Sequence, residues 1–171
     1  FGIVVNNQAK RFYDEGEDFW PKRYAIWGKL IAEQPEQIAY SIVDSKALPH
    51  FMPSVFPPVE ASSIAELAKA FEIDPNALSG VVEKFNRSVR GSKFDPGSLD
   101  ECHTEDLDLP KSHWARPIDT PPYYGYPLRP GITFTYLGVT VNEQAQVIMQ
   151  DDRPAKNVFA AGEVMAGNIL G

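Results

Sequence analysis

Periodicity along this chain runs hairpin, helix, strand, two helices, a long loop and then strands, with helical and strand segments segregated rather than alternating one for one. That order excludes the repeated strand–helix–strand alternation of a parallel sheet and predicts an α+β fold. Residues 2–5 (GIVV) and 10–13 (KRFY) flank an Asn-rich turn and predict a β-hairpin. From Arg23 to about Glu33 the apolar positions Tyr24, Ile26, Trp27, Leu30 and Ile31 keep helical spacing, and Pro35 closes the helix. Residues 38–43 (IAYSIV) read as a strand, and the proline-rich stretch 47–60 as an irregular connection. Ser63-Ile64-Ala65-Glu66 is a capping box for a helix to about Phe71. Asp74-Pro75 opens another, with Leu78, Val81, Val82, Phe85 and Val89 as its buried stripe and Gly91 as its stop. Residues 92–128 read as loop, with 100–108 a solvated acidic surface, before strands at 132–140, 146–149 and Val158–Ala161.

Charge and cysteine content narrow the function classes. The 171 residues carry 23 acidic against 16 basic side chains, a net −7, which argues against nucleic acid as partner because phosphate binding needs a basic face. No apolar run approaches the roughly 18–20 residues of a membrane span. The single Cys102 excludes an internal disulfide framework and a CxxC metal site, and it suits a reducing, cytoplasmic setting. His50, His103 and His113 lie far apart, so no metal site is expected, and Cys102-His103 reads as a surface pair. No P-loop, GxGxxG or GxSxG occurs. The chain begins within a strand and stops at GEVMAGNILG, where a helix is expected to begin, so a larger protein is expected around it.

Four segments carry chemistry. Phe159-Ala-Ala-Gly-Glu163 runs a strand into small residues and an acid, then into a helix entry. Small residues let another group approach the backbone, a carboxylate accepts from a diol, and a helix N-terminus favours an anion; the alternative is a plain turn with a surface glutamate. Arg129 to Val139 alternates threonine and aromatic residues toward Gly138, as a core strand or as one lying against a ligand. Lys10 to Glu15, followed by Lys22-Arg23, is either a solvated hairpin end or a proton path. Pro121-Pro-Tyr-Tyr-Gly-Tyr126 lines a pocket or packs at a rim.

In this order the segments resemble the fumarate reductase and succinate dehydrogenase flavoprotein family. The resemblance covers the whole chain: Arg11, Phe12 and Glu15 (RFxxE), the Asp74-Pro75 helix ending KFN, PPYY, PGI, the glycine-ended strand and AAGE. EGEDFWPKRYAIWG and YPLRPGITFTYLGV are most similar to the branch that holds tricarballylate dehydrogenase. The resemblance implies that residues 1–128 are part of a cap domain over the substrate, and that 129–171 return to an FAD-binding domain whose remainder lies elsewhere in the protein. It implies FAD as cofactor, with Gly138, Ala161, Gly162 and Glu163 against it. It also implies hydride exchange between flavin N5 and a small polycarboxylate such as tricarballylate, and an unidentified electron acceptor. Arg23 is the implied proton-transfer residue, with Lys22 as second choice; Thr133, Thr135, Tyr136 and Arg129 are implied substrate contacts. Thr133 stands where the family has a carboxylate-binding histidine, which suits a carboxylate other than fumarate or succinate. Two other readings remain: a flavin-dependent ketosteroid dehydrogenase using Tyr124 or Tyr136, and a non-catalytic ligand- or protein-binding module. The isolated chain is expected to be inactive.

Overall fold

The computed structural model describes residues 1–131 and 138–168. The chain divides into Phe1–Pro130 and Gly131–Gly171. In the first unit the order is β1 (Ile3–Asn6), α1 (Trp20–Ala32), β2 (Ala39–Asp44), β3 (Val59–Ala61), α2 (Ile64–Ala70), α3 (Pro75–Ser88), β4 (Val89–Arg90), β5 (His103–Thr104) and β6 (Tyr123–Leu128). One antiparallel sheet runs β1-β2-β6-β3, and β4 pairs with β5 apart from it. The class is α+β, as the grouping of periodicities predicts.

Alternation along the strands decides which helix covers which face. Ile3 and Val5 lie opposite Ile42 and Tyr40. They share an apolar cluster with Leu67 of α2 and with Leu78, Val82 and Phe85 of α3. Val4 and Ala39 point the other way and pack with Ile31 and Trp27 of α1. The sheet therefore carries α2–α3 on one face and α1 on the other, and β1 is buried along its whole length.

β6, in the interior of the sheet, corrects the expectation of a loop across 92–128. Pro121, Pro122, Gly125 and Pro127 look like turn punctuation, yet Gly125 and Pro127 lie within the strand. A Cβ at Gly125 would overlap the Phe71 ring, whose Cζ lies 2.5 Å from that position, and press on Leu67 at 3.1 Å. Glycine there lets α2 sit down on the strand. Pro127 pairs with Tyr40 of β2, beyond the Tyr123–Gly125 segment that pairs with β3, so β3 needs no N–H from it.

Three further expectations are corrected. The strand at 10–13 reduces to a single bridge, Val5 to Arg11. Asn6 explains this: its Oδ1 accepts from the N–H groups of Gln8 and Lys10, at 2.9 and 3.0 Å, closing a tight local loop. The 100–108 stretch is not simply a solvated surface. Asp100 is 8% exposed, and its carboxylate accepts from the backbone N–H groups of Asp95, Cys102 and Trp114. Cys102 is buried rather than on the surface, and burial pushes its thiol pKa up. Nearby, the buried Lys111 donates from Nζ to the Gly2 carbonyl at 2.6 Å; burial pushes its ammonium pKa down.

Both helix-start signals are used. Ser63 Oγ accepts from the Glu66 N–H at 3.2 Å, and the Glu66 carboxylate reaches back to the N–H and hydroxyl of Ser62, one residue before the cap. Asp74 Oδ1 accepts from the N–H groups of Asn76 and Ala77 at 2.8 and 2.9 Å. Asp74→Ala should cost about 1 kcal/mol, read as a lower denaturant midpoint at unchanged m-value.

In the second unit, β7 (Gln146–Ile148) pairs antiparallel with β8 (Pro154–Phe159). Asn142 shapes the turn before β7, its Oδ1 accepting from the N–H groups of Gln144 and Gln146. The Ile148 N–H donates to the Thr140 carbonyl at 2.8 Å. β8 begins at Pro154, before the expected Val158, and a 3₁₀ helix over Gly162–Asn168 stands where a helix entry is expected. The strand predicted over 132–140 lies outside the described residues from 132 to 137.

Candidate functional site

The start of α1 gathers the charged residues that sequence reading places in catalysis. Pro21 suits the first turn of α1, because the N–H it lacks would have no partner inside the helix. No side chain caps the helix, but Asp18 Oδ1 accepts from the Phe19 N–H at 2.7 Å. That bond, with help from Lys22, holds the Asp18 carboxyl below the usual carboxylate range. Lys22 Nζ lies 3.1 Å from both Asp18 oxygens, with its side chain 63% exposed. Arg23 turns toward the preceding loop: its Nε is 2.7 Å from Glu17 Oε2, and a terminal nitrogen is 3.9 Å from Asp18. The Arg23 side chain is only 28% exposed. Tyr13 completes the group: its hydroxyl donates to Glu17 Oε2, and its ring packs edge-on against Trp27, centroids 5.5 Å apart. The hydrogen bond to Glu17 raises the Tyr13 pKa. Glu17 lies in the acidic run Asp14-Glu15-Gly16-Glu17-Asp18, which by itself names no partner; the signal for its partnership is the spacing of Tyr13 and Glu17 around a glycine, before a helix that presents Arg23 and Trp27 on one face.

The solvated-hairpin reading of 10–15 is corrected at Arg11 and Glu15. Their ion pair is 2.5 Å long and almost fully buried. Arg11 also donates to the Leu109 carbonyl at 2.7 Å, and Glu15 accepts from the Val4 N–H at 2.8 Å. The pair clamps β1 to the loop before β6. A shallow hollow of about 280 Å³ opens beside it, lined in part by Lys10, Lys84, Phe85 and Asp108.

In the second unit, the Val139 N–H donates to the Val164 carbonyl at 2.8 Å, joining the residue after Gly138 to the residue after Glu163. Ala161, Gly162 and Glu163 are all exposed. Gly162 has a left-handed φ of 75°, and a Cβ there would meet nothing within 4 Å. Such a bend favours glycine for its backbone and leaves open space above it, with an acid in the following turn. Those features fit a bound group that approaches the backbone and offers hydroxyls. Arg129 is exposed and donates to the Glu36 carbonyl at 3.0 Å. Thr133, Thr135 and Tyr136 lie outside the described residues. Tyr124 is half-buried on β6. Among the described residues no cluster of three or more His, Cys, Asp or Glu is placed to hold a metal, and no helix is long and apolar enough to cross a membrane.

Comparison with known proteins places the chain in a flavin-binding class. A family described as an FAD binding domain matches residues 2–171, and the chain belongs to that family, whose cofactor is FAD. Among curated relatives, the NADH:fumarate oxidoreductase of Klebsiella pneumoniae (strain 342) is 30% identical, over 96% of this chain and 17% of that protein. The urocanate reductase of Eggerthella lenta is 29% identical, over 99% of this chain and 27% of its own length. The open conformation of a flavocytochrome c3 fumarate reductase superposes with a TM-score of 0.68 at 24% identity, over 96% of this chain and 28% of that one, a likeness of fold. The chain thus spans roughly a sixth to a quarter of the curated relatives it matches.

Proposed function

We propose that this chain is the part of an FAD-dependent oxidoreductase that covers a small polycarboxylate substrate and returns to the flavin, with residues 1–128 as cap and 129–171 as the returning segment. The carrying observation is the Arg23 guanidinium at the head of α1, partly shielded and ion-paired on one side with Glu17. FAD, when bound, supplies hydride exchange. Gly138, Ala161 and Gly162 would lie against it, and Glu163 would accept from its hydroxyls. In the reducing direction a carbon–carbon double bond beside a carboxylate gains hydride at one carbon, and Arg23 gives a proton to the other; dehydrogenation is the reverse. Arg129, Thr133, Thr135 and Tyr136 orient the carboxylates, and closure of the cap excludes water. Tricarballylate is the favoured substrate because EGEDFWPKRYAIWG and YPLRPGITFTYLGV resemble the tricarballylate dehydrogenase branch. Thr133, where the resemblance implies a carboxylate-binding histidine, suits a carboxylate other than fumarate or succinate. The named activities of the two curated relatives make fumarate and urocanate the comparison substrates.

The test uses the purified full-length protein. It should be yellow and flavin-loaded, and it should either oxidise tricarballylate with an artificial acceptor or reduce fumarate or urocanate with reduced viologen. Flavin-loaded protein inert toward all of these would overturn the carboxylate reading, and protein that takes up no FAD on reconstitution would overturn the whole of it.

A further inference from the structure

Tyr13 has no part in the reading above and Glu17 enters it only as the ion-pair partner of Arg23, yet together they link the aromatic face of α1 to the Arg23 guanidinium: Trp27 to Tyr13 by ring packing, Tyr13 to Glu17 by a hydrogen bond, Glu17 to Arg23 by an ion pair. We infer that Glu17 is the positioning residue for Arg23, and that Tyr13 in turn holds Glu17, so that the guanidinium is presented in one orientation.

The physical case rests on torsion. An arginine side chain has several rotatable bonds, and in solvent its planar fork samples many directions. The Glu17 carboxylate lies 2.7 Å from Nε as an ion-pair contact without hydrogen-bond alignment, so it restrains the guanidinium by charge and proximity on that side. Glu17 is itself long and 42% exposed, so alone it would wander with Arg23. Tyr13 prevents that. Its ring is set against Trp27, which lies one turn after Arg23 on the same helix, and its hydroxyl is bonded to the same Glu17 oxygen that faces Nε. Phe12 packs on the Trp27 ring as well, centroids 6.0 Å apart, so the anchor has support on more than one side. The loop closes on itself: α1 carries both the arginine and the tryptophan that fixes the arginine's partner. Asp18, at 3.9 Å from a terminal nitrogen and already engaged by Lys22 and the Phe19 N–H, adds charge but little direction.

This inference rests on Arg23 being the proton-transfer residue, and the experiment separates the two. In flavin-loaded full-length protein, assayed with whichever of tricarballylate, fumarate or urocanate the parent turns over fastest, Glu17→Gln should lower kcat about 10–50-fold, in line with the cost of misplacing a reacting group by about an ångström. KM should stay within about threefold. Tyr13→Phe should lower kcat by a smaller factor, and Glu17→Asp should recover part of the loss. In an Arg23→Gln background, Glu17→Gln should cost less than about twofold more, because a positioning residue has nothing left to position. A Glu17→Gln kcat within threefold of the parent while Arg23→Gln keeps its full loss would overturn the inference and leave the reading standing; so would fully additive losses in the double variant. Parent-like turnover by Arg23→Gln would bring down both. If Glu17→Gln fails to retain flavin, Tyr13→Phe and Glu17→Asp decide the matter by the same criteria.

Discussion

Arg23→Gln in the flavin-loaded full-length protein should lower kcat by about 10²–10⁴, the usual cost of losing a positioned proton-transfer group. Stability should hardly move. The contacts of Arg23 with Glu17 and Asp18 are partly exposed, and ion pairs of that kind contribute at most about 1 kcal/mol. The amide keeps polarity and much of the side-chain length, while α1 stays anchored through Ile31 and Trp27 against the sheet. A rate loss with unchanged flavin content and a melting temperature shifted by only a few degrees would therefore report on chemistry. Lys22→Gln is the companion measurement. Its ammonium is more exposed and bonded only to Asp18 among the described contacts. Should the large loss fall on Lys22→Gln while Arg23→Gln stays within about threefold of the parent, proton transfer passes to Lys22.

What could be read from sequence was what local chemistry dictates. The Ser63 and Asp74 caps and the amphipathic stripe through Leu78, Val82 and Phe85 are short-range signals, and the structure uses them. β6 was hidden because its glycine and prolines are explained only by partners distant in sequence: Phe71 and Leu67 above Gly125, and Tyr40 beside Pro127. The same holds for Asp100, whose burial is decided by the Trp114 and Asp95 backbone rather than by its acidic neighbours. At the candidate site the cations were legible as a pair, Lys22-Arg23, but the difference between them was not. Helix phase turns Arg23 toward Glu17 and Tyr13 while Lys22 faces solvent, and phase depends on where the Asp18–Phe19 turn starts α1. The RFxxE spacing was legible as a motif while its physical meaning was not, because the acceptors that give Arg11 its role lie about a hundred residues away.

That buried clamp carries the largest stability effect expected of a single change. Arg11→Met should destabilise the fold by about 3–5 kcal/mol, because removing one partner of a buried ion pair leaves the other charge uncompensated. Glu15 would keep the Val4 N–H at 2.8 Å but lose its close contacts with the guanidinium, and the Leu109 carbonyl would lose a donor at 2.7 Å. The guanidinium also lies over the Phe85 ring, 5.5 Å from its centroid, so its packing would go with its charge, although methionine refills part of that space. Adding Glu15→Gln to Arg11→Met removes the stranded charge while leaving an oxygen for the Val4 N–H. The double variant should therefore be more stable than Arg11→Met alone, by about 1–2 kcal/mol, because the effects of residues in contact do not add. Denaturant midpoints for the parent, both single variants and the double variant check this. A loss below about 1 kcal/mol for Arg11→Met, the ceiling for an exposed pair, would show that water reaches the clamp and that other contacts, the Lys111–Gly2 bond among them, hold β1 to the 107–111 loop.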